Sequence, residues 1–261
     1  MKNKSLFILI AFATLISSCQ EVIDLKLNTS SSQIVIQGNL DDLEGPDTIK
    51  ISRSVDFDEA SIFPAVTGAT VTISSNVGDT AILTEISEGI YVTDPSPGIA
   101  GRTYTLNVLT DGKTYTANST MPNAVSIDSI YFGKSLFGNE KIITIDFKDP
   151  ANSTNFYRFI PFINNDKINQ FNVMDDKYIN GKEFSYPFYR RRMNNDLSLE
   201  SGSTVQIWLE SIDEGAYNYF RTAGSDGRNS SSPANPNTNL TNGALGYFNA
   251  CSIRKITTIV P

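Results

Sequence analysis

Residues Arg102 to Asn118 read RTYTLNVLTDGKTYTAN, and this stretch decides the fold class. Tyr104, Leu106 and Val108 alternate with Thr103, Thr105 and Asn107, the period of two that sends successive side chains to opposite faces of a strand. Asp111-Gly112 interrupts the run with two residues that tolerate positive φ, so the flanking segments fold back on each other as a hairpin. The alternation extends backwards along the chain. Ile34 shares a face with Ile36, Ile49 with Ile51 and Val71 with Ile73, and the segments Thr80 to Ile86 and Gly89 to Thr93 continue the series. Short strands at this spacing, roughly seven in about 90 residues, have the cadence of an immunoglobulin-like β-sandwich. That unit is expected over 33–122. Met121-Pro122-Asn123 closes it, because proline lacks the N–H that a sheet ladder needs.

From 123 to 261 the pattern stays all-β but carries more aromatics, which predicts a second β-sandwich or barrel-like domain with one short helix. The clearest strands are Ser126 to Phe132, Lys141 to Lys148, Asn155 to Ile163, Gln170 to Met174 and Thr204 to Ile212. In the last, Val205, Ile207 and Leu209 face one way while Gln206, Trp208 and Glu210 face the other. Asp213 to Ala223 breaks the alternation, and Asp213 with Glu214 suits the positive end of a short helix. Gly224 to Asn239 reads as a long polar loop, and Gly243 to Val260 as one or two closing strands.

The N-terminus reads MKNKSLFILIAFATLISSC. Lys2 and Lys4 precede an apolar run from Leu6 to Ile16, which as a helix spans roughly 16 Å, about half the hydrocarbon core of a bilayer. Such a segment suits an export signal and is too short to span. Leu15-Ile16-Ser17-Ser18-Cys19 matches the bacterial lipobox, in which small residues admit the peptidase and the thiol receives diacylglycerol. Residues 1–18 are therefore expected to be a lipoprotein signal peptide, Cys19 the lipidated residue and 19–32 a lipid-anchored tether. Attachment would be to the outer membrane, on its cell-surface or its periplasmic side. Of the two cysteines, Cys251 is then left single and reads as a small buried hydrophobe.

Composition removes whole classes of chemistry. The chain of 261 residues carries a formal charge of −7, which repels nucleic acid, so no nucleic-acid partner is expected. Histidine is absent, which excludes every His-dependent triad and every imidazole metal ligand. No nucleophile elbow, phosphate-binding loop or dinucleotide fingerprint occurs, and neither a cofactor nor a metal site is expected.

Against that acidic background Arg190-Arg191-Arg192 follows Tyr186, Phe188 and Tyr189. Guanidinium forks beside Tyr189 suit an anionic or stacking ligand, and they equally suit an edge strand kept soluble by charge. Trp208, the single tryptophan, is either an exposed platform or part of a second packed face. The acidic clusters Asp41, Asp42, Glu44, Asp47 and Asp56, Asp58, Glu59 lack the spacing of a calcium loop and read as turns, as does Asp175-Asp176. Asp47-Thr48-Ile49, Asp79-Thr80-Ala81 and Asp128-Ser129-Ile130 match a short O-glycosylation pattern.

Several segments together resemble one family. Glu21-Val22-Ile23-Asp24-Leu25 after the cysteine, Ile34-Val35-Ile36-Gln37-Gly38, Gly112-Lys113-Thr114-Tyr115-Thr116-Ala117 and Phe147-Lys148-Asp149-Pro150 carry the likeness. So do Pro236-Asn237-Thr238-Asn239-Leu240 and Gly243-Ala244-Leu245-Gly246-Tyr247-Phe248-Asn249-Ala250. In this order they resemble the Bacteroidota lipoproteins catalogued as domain of unknown function 4249. The resemblance implies a role beside TonB-dependent outer-membrane receptors in nutrient capture, with an unknown small solute, glycan or peptide as ligand, and it carries no catalytic residues. A structural or adhesive surface lipoprotein is the alternative expectation, and a hydrolase working through paired carboxylates the third.

Overall fold

In the computed structural model the described residues are 32–55, 62–134, 141–168, 170–188, 199–224 and 235–261. Among them the protein is mostly β, with three sheets and one helix. The first stretch supplies β1 (Ile34–Asp41), β2 (Thr48–Arg53), β3 (Thr70–Ser75), β4 (Thr80–Ile82), β5 (Thr84–Ser87), β6 (Ile90–Val92), β7 (Thr103–Thr110) and β8 (Lys113–Thr120). The second supplies β9 (Ile127–Lys134), β10 (Lys141–Lys148), β11 (Phe156–Ile163), β12 (Asp166–Lys167), β13 (Asn172–Asp175), β14 (Glu183–Phe188), β15 (Thr204–Ile212), α1 (Glu214–Gly224) and β16 (Leu245–Ile259).

The expected hairpin is present as β7 and β8, with Asp111 and Gly112 both at positive φ. Together with β3 and β4 they make a four-stranded sheet in the order β4-β3-β7-β8. A nine-stranded sheet runs β12-β11-β15-β16-β1-β2-β6-β5, with β13 also on β11, and β14-β10-β9 forms the third sheet. The segment Thr80 to Ile86, which reads as one strand, is two. Leu83 is buried in the first core and hands the chain from the four-stranded sheet to the nine-stranded one. Its N–H still donates to the Val71 carbonyl of β3 at 2.9 Å, while its side chain leaves water for the core, and the chain past it pairs with β6.

β16 organises the molecule. Its first half, from Leu245 to Cys251, pairs in parallel with β1, and its second half, from Ser252 to Ile259, pairs antiparallel with β15. Two cores lie against the sheets. One gathers Ile36, Ile49, Ile51, Val71, Leu106 and Val108, and it also takes Leu240, Ala244, Phe248 and Ala250 from the C-terminal stretch. The other gathers Ile145, Phe147, Tyr157, Phe159, Ile207 and Leu209. Membership changes between Met121 in the first and Val125 in the second, on either side of Pro122.

The helix forms where the alternation fails. Asp213 caps it, accepting from the Ala216 N–H at 2.9 Å, with Glu214 in the first turn and Arg221 in the last. The other carboxylate oxygen of Asp213 accepts from the Thr120 N–H at 3.0 Å and ties the helix start to β8. Ala216, Phe220 and Ala223 are buried, and Ala216 and Phe220 share a third cluster with Ile212, Cys251 and Ile253.

Candidate binding site

β1 ends on the nine-stranded sheet and β3 on the four-stranded one, and a cavity of about 420 Å³ opens between Leu40 of the first and Ile73 and Ser75 of the second. The segment from Thr93 to Arg102, which joins β6 to β7, lines its other side. Turn-forming Asp94-Pro95-Ser96-Pro97-Gly98 gives that segment its shape. Its first end is fixed by Thr93, whose N–H donates to the Asp47 carbonyl at 3.1 Å and whose hydroxyl accepts from the Asp47 N–H at 3.0 Å. In its middle the Gly98 N–H donates to the Asp41 carbonyl at 2.7 Å. A Cβ on Gly98 would collide with the end of the Met121 side chain and stand 3.0 Å from that same carbonyl, so a larger residue needs Met121 and the wall to shift. The Ile99 N–H donates to the Tyr104 hydroxyl at 2.7 Å, which holds the far end.

The lining mixes two kinds of surface. Leu40, Ile73 and Tyr104 are buried and supply an apolar floor. At the mouth, Arg102 donates to Asp79 at 2.6 Å, and Asp94 and Thr93 stand nearby on the wall. Behind Thr93, outside the cavity, Asp47 is buried and its Oδ1 accepts from the Asp41 N–H at 2.9 Å. Burial pushes the Asp47 carboxyl up to about 7, against the pull of that hydrogen bond, and the Asp41 charge adds to the rise. A smaller cavity of about 210 Å³ lies beside the start of the helix, between Thr120, Asn155 and Asp213. Both carboxylate oxygens of Asp213 on its lining are already used by the Thr120 and Ala216 N–H groups.

Of the residues singled out from the sequence, Cys19, Tyr189, Arg190, Arg191 and Arg192 lie outside the described residues, as do Asp56, Asp58 and Glu59. Trp208 is half-buried on the helix side of the nine-stranded sheet. Its Nε1 donates to Gln206 at 2.7 Å, Phe162 packs at 4.9 Å between ring centroids, and the Lys255 ammonium sits 3.8 Å from the ring centre. Of the carboxylates around Gly45-Pro46, Glu44 is exposed, while Asp41, Asp42 and Asp47 are tied to the fold. Asp41 accepts from the Leu43 N–H, and Asp42 from the Ile253 N–H at 2.7 Å and from Arg254 at 2.8 Å. Asp176 accepts from the Asn155 and Asn180 side chains. Among the described residues no three acidic or sulfur side chains gather as metal ligands. Cys251 is buried, and burial pushes its thiol well up, away from the reactive thiolate. Of the three glycosylation-like tripeptides, Thr48 and Thr80 are exposed, while the Ser129 hydroxyl donates to Asp146 at 2.8 Å.

Sequence reasoning passed over Asp79, Asp94 and Arg102 as cavity residues, because Asp79 comes from the β3–β4 turn and the other two from the β6–β7 connection, which only the sheet packing unites. It also passed over the buried pair of Arg158 and Glu210. They lie opposite each other on β11 and β15, 3.1 Å apart, with the guanidinium carbon 3.9 Å above the centre of the Phe220 ring of the helix. Pro95 and Pro97, which shape that wall, are the sequence feature from which it could have been found.

Comparison with curated proteins finds no match. The family model described as Domain of unknown function (DUF4249) matches residues 20–257, nearly the whole chain, and the protein belongs to that family.

Proposed function

We propose that the protein is a lipid-anchored binding module of the outer membrane, held by acyl chains on Cys19, which captures a small solute for a TonB-dependent receptor. The observation that carries this reading is the cavity between β1 and β3. Its volume of about 420 Å³ falls within the range of small-molecule sites, roughly 300–1,000 Å³. Its wall combines hydrocarbon with a few placed polar groups, and strands of two sheets hold that wall in shape. The lipobox Leu15 to Cys19 supports the anchor, and the family match over 20–257 covers the part that would follow it. On this reading the two sheets around the first core make an immunoglobulin-like sandwich, and β9, β10, β11, β14 and β15 make the second sandwich or barrel-like unit.

Radiolabelled palmitate should enter the wild-type protein in growing cells and fail to enter Cys19→Ala, which should leave the membrane fraction. A tagged protein solubilised in detergent should bring down a TonB-dependent receptor. Wild type that stays unlabelled removes the anchor, and pull-down of the lipoprotein without a receptor removes the transport role.

A further inference from the structure

On the reading of the protein as a solute binder, we infer that the cavity between β1 and β3 takes a neutral, hydroxyl-rich ring: a monosaccharide or the terminal sugar of a glycan. Charge narrows the choice first. Arg102 is the one cation lining the cavity, and Asp79 already pairs with it at 2.6 Å. Asp94 adds a carboxylate that has no ion-pair partner among the described residues. A carboxylate or phosphate ligand entering here meets a net negative wall and is repelled.

Hydrogen-bonding chemistry narrows it further. A sugar hydroxyl both donates and accepts, so adjacent hydroxyls are satisfied by a wall that alternates the two. The guanidinium N–H groups that Asp79 does not use can donate, and the Asp79 and Asp94 carboxylates can accept. The Thr93 hydroxyl accepts from the Asp47 N–H, and its own proton remains to be given to a ligand. Below the polar mouth, Leu40, Ile73 and the Tyr104 ring offer an apolar floor to the C–H face of a pyranose. A volume of about 420 Å³ lies near the small end of ligand sites, room for a sugar or two and too little for a folded partner. Thr80 and Ala81 of the exposed edge strand β4 border the opening, so a longer glycan can leave the cavity there.

The test is titration calorimetry on the full-length protein in detergent. The panel contains D-glucose, D-galactose, D-mannose, N-acetyl-D-glucosamine, D-glucuronate, L-lysine and trialanine. At least one neutral sugar should bind, and glucuronate should bind at least tenfold more weakly than the tightest neutral sugar. Asp94→Ala and Arg102→Met should each weaken the sugar tenfold or more without moving the thermal midpoint, since both side chains stand at the mouth and outside the core. Lys255→Ala, on the other side of the nine-stranded sheet, should bind as wild type. Sugar binding that neither variant weakens, or glucuronate bound as well as the tightest neutral sugar, overturns the proposal. Binding of lysine or trialanine alone, lost in Asp94→Ala, overturns the ligand class and leaves the solute-binding reading standing. Failure of every compound, in a protein that still brings down a receptor, overturns the assignment of the cavity while the transport role survives.

Discussion

Asn239 pairs with Phe248 as a strand would: its side-chain oxygen accepts from the Phe248 N–H at 3.0 Å and its side-chain nitrogen donates to the Phe248 carbonyl at 2.7 Å. β16 meets β1 along one edge over its first half, but β15 reaches its other edge only from Ser252 onward. Asn239 fills the gap at Phe248, and the Ser119 hydroxyl accepts from the Ala250 N–H at 2.8 Å one pair further along. Phe248 is fully buried, so water cannot replace these bonds. Asn239→Ala should therefore lower stability by about 2–4 kcal/mol, the cost of two unpaired buried groups. Asn239→Asp, which keeps an acceptor and loses the donor, should also be destabilised. Urea unfolding of both variants gives the comparison, and an alanine variant as stable as wild type would show that other groups satisfy Phe248.

Two residues earlier, Gly246 stands opposite Ile36 in the parallel pair. It lies at φ +100, and a Cβ there would run into the Ile36 carbonyl oxygen. Backbone strain and collision act together, and the collision is with main chain that cannot rotate away. Gly246→Ala should cost more than about 3 kcal/mol, seen as a large drop in thermal midpoint. A midpoint within a few degrees of wild type would mean that β1 and β16 separate there at little cost.

These contacts explain what was legible in advance. Alternation around Tyr104, Leu106 and Val108 placed those side chains inward, and the same logic put Val205, Ile207 and Leu209 into the second core. Periodicity reports a face and is silent on the partner strand. The parallel union of β1 with β16 joins residues some 210 positions apart, as in Asn39 and Asn249, and nothing local specifies it. The Gly-Tyr-Phe-Asn and Asn-Leu segments of the family resemblance are those that build this junction, through Gly246, Phe248 and Asn239. The cavity was hidden for a related reason. Asp79, Asp94 and Arg102 are ordinary turn and strand-end residues, and only the packing of two sheets brings them to one mouth.

Arg158 and Glu210 form the most enclosed ion pair among the described residues, with side chains 11% and 6% exposed. Burial pushes Glu210 up while Arg158 holds it down, so each charge depends on the other. Removing one partner strands a charge beneath the helix. Arg158→Leu and Glu210→Leu should each cost about 3–5 kcal/mol, and the double variant should cost less than either alone. A double-mutant cycle measured by denaturant unfolding reads the coupling directly. Additive costs would mean that Lys167, held down by burial and by Arg158, already balances Glu210.

Asp47 makes stability depend on pH near neutrality. Its carboxyl is raised from an ordinary value of 3.8 to about 7 in the folded protein. Between those values the native state holds a proton that the unfolded chain has lost. The folded form therefore gains stability as pH falls through 7 and loses it as pH rises, with the full penalty present above 7. Asp47→Asn keeps a side-chain oxygen to accept from the Asp41 N–H and carries no charge to desolvate. At pH 8 the variant should be more stable than wild type by on the order of a few kcal/mol, and the gap should shrink towards pH 5. Asp41 and Glu210 are raised in the same direction, so the variant retains part of the slope. Urea unfolding at pH 5, 6, 7 and 8 on both proteins tests it. A gap that stays constant with pH would place the Asp47 carboxylate in water, and with it the Thr93 end of the cavity wall.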